Sequence, residues 1–139
     1  MFETLIEIVE KQLDAAAKAL GDANIVKDES IRNLSILEGY LSEYISRLEE
    51  VLSRGIDSIA LQNYQRFIAG LVSTIEKQKN IVHSNELKVE RCLLEWRELE
   101  KKRLSYSILV NREEDRNKKV LAKLERKQSD EFAARRRLT

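Results

Sequence analysis

Two long heptad repeats, separated by a short break, constrain this chain more than any other feature of its sequence. Apolar residues alternate three and four positions apart through residues 6–51, and the same spacing returns through residues 61–110. A repeat that averages 3.5 residues places one apolar row along a helix, and that row must pack against another helix. The 139 residues contain no proline to interrupt such helices. The sequence therefore predicts an all-α fold built from two long helices.

The two repeats are out of phase, and the shift falls within the sequence SRGIDS, residues 53–58. Gly55 is suited to end the first helix, and either Asp57 or Ser58 is suited to cap the second. A turn this short leaves consecutive helices side by side and antiparallel. We therefore predict an antiparallel coiled-coil hairpin.

The second helix of this hairpin is expected to extend beyond the first. We predict a single coiled-coil domain over residues 1–139, with helix one at 2–52, a turn at 53–58, helix two at 58–136 and an unpaired arm at 112–139. If the arm is helical, it extends about 42 Å at about 1.5 Å per residue.

Polar residues inside the apolar rows indicate the register of the pairing. Lys27 and Ser30 interrupt the first row, and Asn85 interrupts the second. If the turn is centred near residue 56, facing positions sum to about 112, and Lys27 and Asn85 meet that condition. Polar residues at such positions cost stability but select one alignment, so their coincidence favours the antiparallel pairing.

Charge is distributed unevenly between the halves of the chain. Residues 1–52 hold five basic and eleven acidic residues, net −6, whereas residues 58–139 hold nineteen basic and twelve acidic residues, net +7. The halves therefore attract each other. A basic helix is compatible with nucleic-acid binding, but here basic residues alternate with acidic ones and are not interleaved with aromatic rings. We expect no specific nucleic-acid binding.

The sequence predicts no catalytic, cofactor or metal site. It lacks a Gly-rich phosphate loop. His83 and Cys92 are separated by about 13 Å along a helix, too far for a catalytic pair, and a single cysteine excludes a disulfide framework. The longest uncharged stretch, residues 67–75, is too short to cross a bilayer. We expect a cytoplasmic, non-enzymatic protein.

An aromatic face is predicted close to the turn. When heptad positions are labelled a to g, rows a and d form the seam, and in an antiparallel pair the two g rows lie on the same side. Tyr40 and Phe67 fall at g positions, Tyr44 falls at a nearby d position, and Gly39 and Gly70 lie at nearly the same level. Exposed aromatic clusters mark interfaces. The alternative is that these rings cover the core of the hairpin itself.

Three blocks of sequence stand outside the heptad pattern. They are LQNYQRFIAGL at 61–71, LLEWRELEKKRL at 93–104 and KKVLAKLERKQSDEFAARR at 118–136. In order and spacing these blocks resemble the FliJ family of flagellar export proteins. The resemblance covers nearly the whole chain and is strongest after residue 60. It implies a component of the flagellar type III export apparatus, similar in architecture to the coiled-coil stalk of the rotary ATPase gamma subunit.

The resemblance also implies partners and a location. Family members are understood to insert into the hexameric ring of the export ATPase FliI and promote its assembly, to contact the cytoplasmic domain of the export gate protein FlhA, and to bind flagellar export chaperones. This would place the chain at the cytoplasmic face of the inner membrane, at the flagellar base. Thr74 and Gln78 depart from the family pattern and are left out of the gate-binding face, which carries over to Leu37, Tyr40, Tyr44, Phe67 and Leu71.

The arm is expected to enter the ATPase ring together with the first residues of helix one. With ten basic and six acidic residues, it carries a net charge of +4. Its apolar side and basic end, which would contact the ring, comprise Leu121, Leu124, Phe132, Arg135, Arg136 and Arg137. The alternative for the arm is a solvated tail. For the whole chain, which we expect to be a monomer alone, the alternative is a generic coiled-coil adaptor or dimerisation protein.

Overall fold

Two helices make up the computed structural model, which describes residues 2–138. Helix α1 spans Phe2–Arg54 and helix α2 spans Ser58–Leu138. No strand occurs within this described range, so the all-α prediction is confirmed. Each helix ends two residues later than predicted from the sequence.

The turn between the helices is closed by one glycine and one aspartate. Gly55 has a φ of +91°, a conformation that only glycine adopts without strain, and its N–H donates to the Leu52 carbonyl at 3.3 Å. Asp57 precedes α2 and caps it: its Oδ1 accepts the N–H of Ala60 at 2.7 Å, and its carbonyl accepts the N–H of Leu61 at 3.0 Å. Of the two caps that the sequence offered, Asp57 is therefore the one used.

The described residues divide into two compact units, one formed by residues 16–96 and the other by residues up to 15 together with those from 97 onward. In the unit 16–96, the side chains that are buried between the helices all occupy predicted seam positions. The apolar ones are Ala23, Leu71, Ile75 and Val82. Heptad periodicity therefore identified the core of this unit correctly.

One hydrogen bond crosses the seam of this unit and reports its register. The side-chain nitrogen Nε2 of Gln78 donates to the backbone carbonyl of Ser30 at 3.0 Å. Ser30 is itself buried, and its hydroxyl donates to the Lys27 carbonyl at 2.7 Å. Ser30 and Gln78 both occupy d positions. In the predicted register, where the numbers of facing a and d residues sum to about 112, these two residues belong to neighbouring layers of the seam and lie diagonally opposite each other. The bond therefore fits the predicted alignment, with Gln78 acting as a seam residue.

The second unit has its own short seam and a long exposed segment. Val9 and Leu13 of α1 are buried in it. Phe2 lies across a small cleft from Val110, so α1 begins near the level of Val110 on α2. From residue 111 to residue 137 every side chain is exposed. Within this unit, α2 therefore continues past the start of α1 as a helix whose side chains are exposed.

Candidate protein-binding surfaces

Three rings from both helices form an aromatic cluster, Tyr44, Tyr64 and Phe67, close to the turn. Phe67 stacks on Tyr44 with ring centroids 4.2 Å apart and ring planes 28° apart. Tyr64 is tilted by 59° against the same ring, at a centroid distance of 6.4 Å. The guanidinium carbon of Arg47 lies 5.5 Å from the Tyr44 ring centre. Tyr44 is thus the half-buried centre on which its neighbours are positioned.

The five residues predicted for the gate-binding face differ in how much surface they offer. Tyr40 is 52% exposed and Phe67 is 48% exposed. Leu37 and Tyr44 are half-buried. Leu71 is only 9% exposed, because its d position turns it into the seam. A partner docking here would chiefly meet Tyr40 and Phe67, whereas Leu71 supports the face from beneath.

The heptad pattern places Tyr64 on this face as a d position, but it did not predict a role here for Arg47. Arg47 follows Tyr44 by three positions, a spacing that places two side chains on one face of a helix. The Arg47 side chain is also held by Glu43, one turn earlier, through an ion pair of 2.6 Å. The three-residue spacing from Tyr44 could have predicted this contact from the sequence. Arg47 places a positive charge at the edge of the aromatic cluster.

The glycines beside these rings are not needed for packing within the chain. A Cβ atom added at Gly39 or at Gly70 would meet no atom within 4 Å. Packing between the helices therefore does not require glycine at either position. Without a side chain, Gly39 and Gly70 leave open space beside Tyr40 and Phe67. Thr74 is tied to its own helix, since its hydroxyl donates to the Gly70 carbonyl at 2.9 Å.

The arm carries a row of exposed apolar side chains. Leu121, Leu124 and Phe132 are each more than half exposed, and Val120, which is not among the predicted ring contacts, is also more than half exposed. The Arg136 guanidinium carbon lies 5.6 Å from the centre of the Phe132 ring, so this arginine partly covers the ring. Basic residues in the last helical turn also suit the negative end of the helix dipole.

Residues 2–138 contain neither a membrane-spanning segment nor a cluster of metal ligands. Neither helix contains a segment that is long and apolar enough to span a membrane. No three His, Cys, Asp or Glu side chains of this range are grouped so that they could hold a metal ion.

Comparison with known proteins assigns the family. The family model described as "Flagellar FliJ protein" matches residues 1–138. The chain belongs to the FliJ family. A FliJ protein from Salmonella typhi is 32% identical over 133 residues, which cover 96% of this chain and 90% of the relative. A FliJ protein from Escherichia coli K12 is 30% identical over 132 residues, which cover 95% of this chain and 90% of the relative.

Membership of the FliJ family confirms the resemblance seen in the sequence. The chain is a component of flagellar protein export, and the family is not a family of enzymes. The match extends through both helices, including α1, whose heptad sequence is the less distinctive part. The aromatic cluster and the arm are therefore surfaces of an export component.

Proposed function

We propose that this FliJ-family chain is a gamma-like stalk of the flagellar export apparatus. Its arm enters the hexameric ring of the export ATPase FliI and promotes assembly of the ring. Its aromatic face contacts the cytoplasmic domain of the export gate protein FlhA, and the chain also binds flagellar export chaperones. It works at the cytoplasmic face of the inner membrane, at the flagellar base.

The observation that carries this proposal is the exposure of the arm. An isolated helix is marginally stable in water, and its stability in proteins comes mainly from packing. Leu121, Leu124 and Phe132 each leave more than half of their surface exposed, although burying each CH₂ group would contribute about 0.8 kcal/mol. A ring that surrounds the arm would cover these side chains. Arg135 and Arg137 would then reach acidic or carbonyl groups of the ring.

The aromatic face supports the second part of the proposal. Binding hot spots are enriched in aromatic side chains that are held in place before the partner arrives. The stack on Tyr44 restrains Phe67 while leaving about half of its surface exposed. Tyr40 offers a second exposed ring from the g row of α1, on the same side of the seam, and Leu37 and Tyr44 complete the surface. Leu71 acts by supporting these side chains.

Purified partners test the proposal directly. The full chain is immobilised, and FliI and the cytoplasmic domain of FlhA are applied separately and then together. We expect each to bind, and we expect bound FlhA to leave FliI binding intact because the two surfaces use different residues. A chain that binds neither protein but sediments as a stable dimer would instead favour a generic dimerisation protein.

A further inference from the structure

A groove between the helices has no role in the function proposed above. It lies within the unit 16–96 and has a volume of about 370 Å³. In the heptad frame its walls come from a, b and e positions, so it opens on the side of the seam opposite the g rows that carry Tyr40 and Phe67. Its lining is mostly apolar and comprises Ala17, Leu20, Gly21, Asn24, Leu93 and Trp96.

The groove exists because small residues on α1 face large residues on α2. Ala17 and Gly21, one helical turn apart, project almost no side chain, whereas Leu93 and Trp96 are large and only half-buried. A Cβ atom added at Gly21 would meet no atom within 4 Å. The chain thus leaves open a space, bordered by an indole ring, that an apolar side chain from another molecule can fill.

Most of the charged side chains in the rows beside the groove are acidic. In the b and e rows, residues 17–31 of α1 and 83–97 of α2 contain three acidic residues, Asp28, Glu86 and Glu90, and one basic residue, Arg97, which directly follows Trp96. Asp28 lies 3.9 Å from the ammonium group of the neighbouring Lys27. Within residues 2–138, neither Glu86 nor Glu90 forms an ion pair. Two carboxylates are therefore available beside an apolar groove.

We propose that this groove binds an amphipathic helix of a partner protein, one whose apolar row is flanked by lysine or arginine. An apolar side chain of that helix fills the space over Gly21 beside Trp96, and its basic side chains pair with Glu86 and Glu90. Charge complementarity selects this occupant. A second copy packed groove against groove would instead bring the same carboxylates together. The site does not depend on the arm or on the aromatic face.

Trp96 is the only tryptophan of the chain, so intrinsic fluorescence reports on the groove. The probe is a designed helix of roughly 18 residues with leucine at heptad a and d positions and lysine beside them. A matched peptide carries glutamate in place of lysine. With the full chain, we expect the lysine peptide to shift the Trp96 emission to saturation and to bind more weakly as salt is added. The glutamate peptide is expected to leave the emission unchanged.

Two glycine variants locate the binding site. Gly21→Leu places a side chain in the groove, whereas Gly39→Leu makes the same exchange on α1 at a position that is equally open but outside the groove. Leucine favours a helix over glycine, so both variants should fold, which circular dichroism checks. We expect Gly21→Leu to weaken binding of the lysine peptide about tenfold or more. We expect the Gly39→Leu variant to bind the lysine peptide like the parent. We expect a variant that carries both Glu86→Lys and Glu90→Lys to bind the glutamate peptide more tightly than the lysine peptide.

Three results would overturn the proposal. The first is equal binding of the two peptides, and the second is binding that Gly21→Leu does not weaken. The third is a rise in the molar mass of the unliganded chain with concentration that Gly21→Leu abolishes, which would assign the groove to a second copy of the chain.

Discussion

Phe67 of α2 stacks on Tyr44 of α1 with 4.2 Å between ring centroids, so an exposed ring is held in place by a half-buried ring of the other helix. The contact links packing to binding, because the same phenylalanine contributes to the hairpin and to the proposed gate-binding face. Tyr40 has no ring partner in the described part of the chain. The two aromatic residues should therefore respond differently to truncation.

Tyr40→Ala and Phe67→Ala should each weaken binding to the cytoplasmic domain of FlhA. Truncating an interface hot spot costs about 2 kcal/mol or more, and calorimetric titration measures the loss. Phe67→Ala should also destabilise the hairpin by about 0.5–1.5 kcal/mol, because its stack on Tyr44 is lost. Tyr40→Ala should leave the melting curve close to that of the parent.

Ile59→Ala is the matched control for these truncations, because Ile59 is an exposed apolar residue near the turn that lies outside the proposed face. It should bind FlhA like the parent. Unchanged FlhA binding in the chain that lacks both aromatic side chains would assign these rings to packing of the hairpin alone.

Ile75→Asp should unfold the half of the hairpin close to the turn. Ile75 is 5% exposed, and an unpaired charge at a buried position costs about 3–5 kcal/mol. Leu41→Asp should have a smaller effect, since Leu41 is half-buried. Ile36→Asp introduces the same charge at an exposed position of α1 and should melt like the parent. Circular dichroism compares the three, and parent-like melting of Ile75→Asp would mean that the seam is misassigned.

Alanine should have opposite effects at two glycines. Gly39 lies inside α1 with open space beside it, so Gly39→Ala should stabilise the chain by about 0.5–1 kcal/mol. Gly55 has a φ of +91°, so Gly55→Ala should destabilise it by about 1–2 kcal/mol. Urea unfolding measures both changes. If Gly55→Ala is as stable as the parent, the turn does not require the positive φ.

Heptad periodicity was sufficient to predict the pairing of the helices, because burial follows the a and d rows. Val9 in one unit and Val82 in the other are buried as expected. The choice between Asp57 and Ser58 as helix cap could not be made from the sequence, since both side chains can accept the same N–H group. The hydrogen bond of Gln78 was missed because a row assignment does not specify a rotamer.

The candidate surfaces were less predictable than the core. A heptad position tells which side of the seam a residue occupies, but exposure depends on how the rings pack, as the difference between Phe67 and Leu71 illustrates. The groove was not predicted from the sequence, although the positions of small and large residues along the two helices could have indicated it. When facing positions sum to about 112, Ala17 lies near the level of Trp96 and Gly21 lies near the level of Leu93, and small residues opposite large ones leave a gap.

Stimulation of the FliI ATPase tests the central claim, that the arm works inside the ring. Purified FliI is titrated with the full chain and with a chain that lacks residues 118–139, while its ring assembly and hydrolysis rate are followed. The truncated chain should melt like the parent and still bind FlhA, because every side chain from residue 118 to residue 137 is exposed and none belongs to the proposed gate-binding face. We predict that the full chain stimulates ring assembly and hydrolysis and that the truncated chain stimulates neither. Full stimulation by the truncated chain would contradict the account and make the arm a solvated tail.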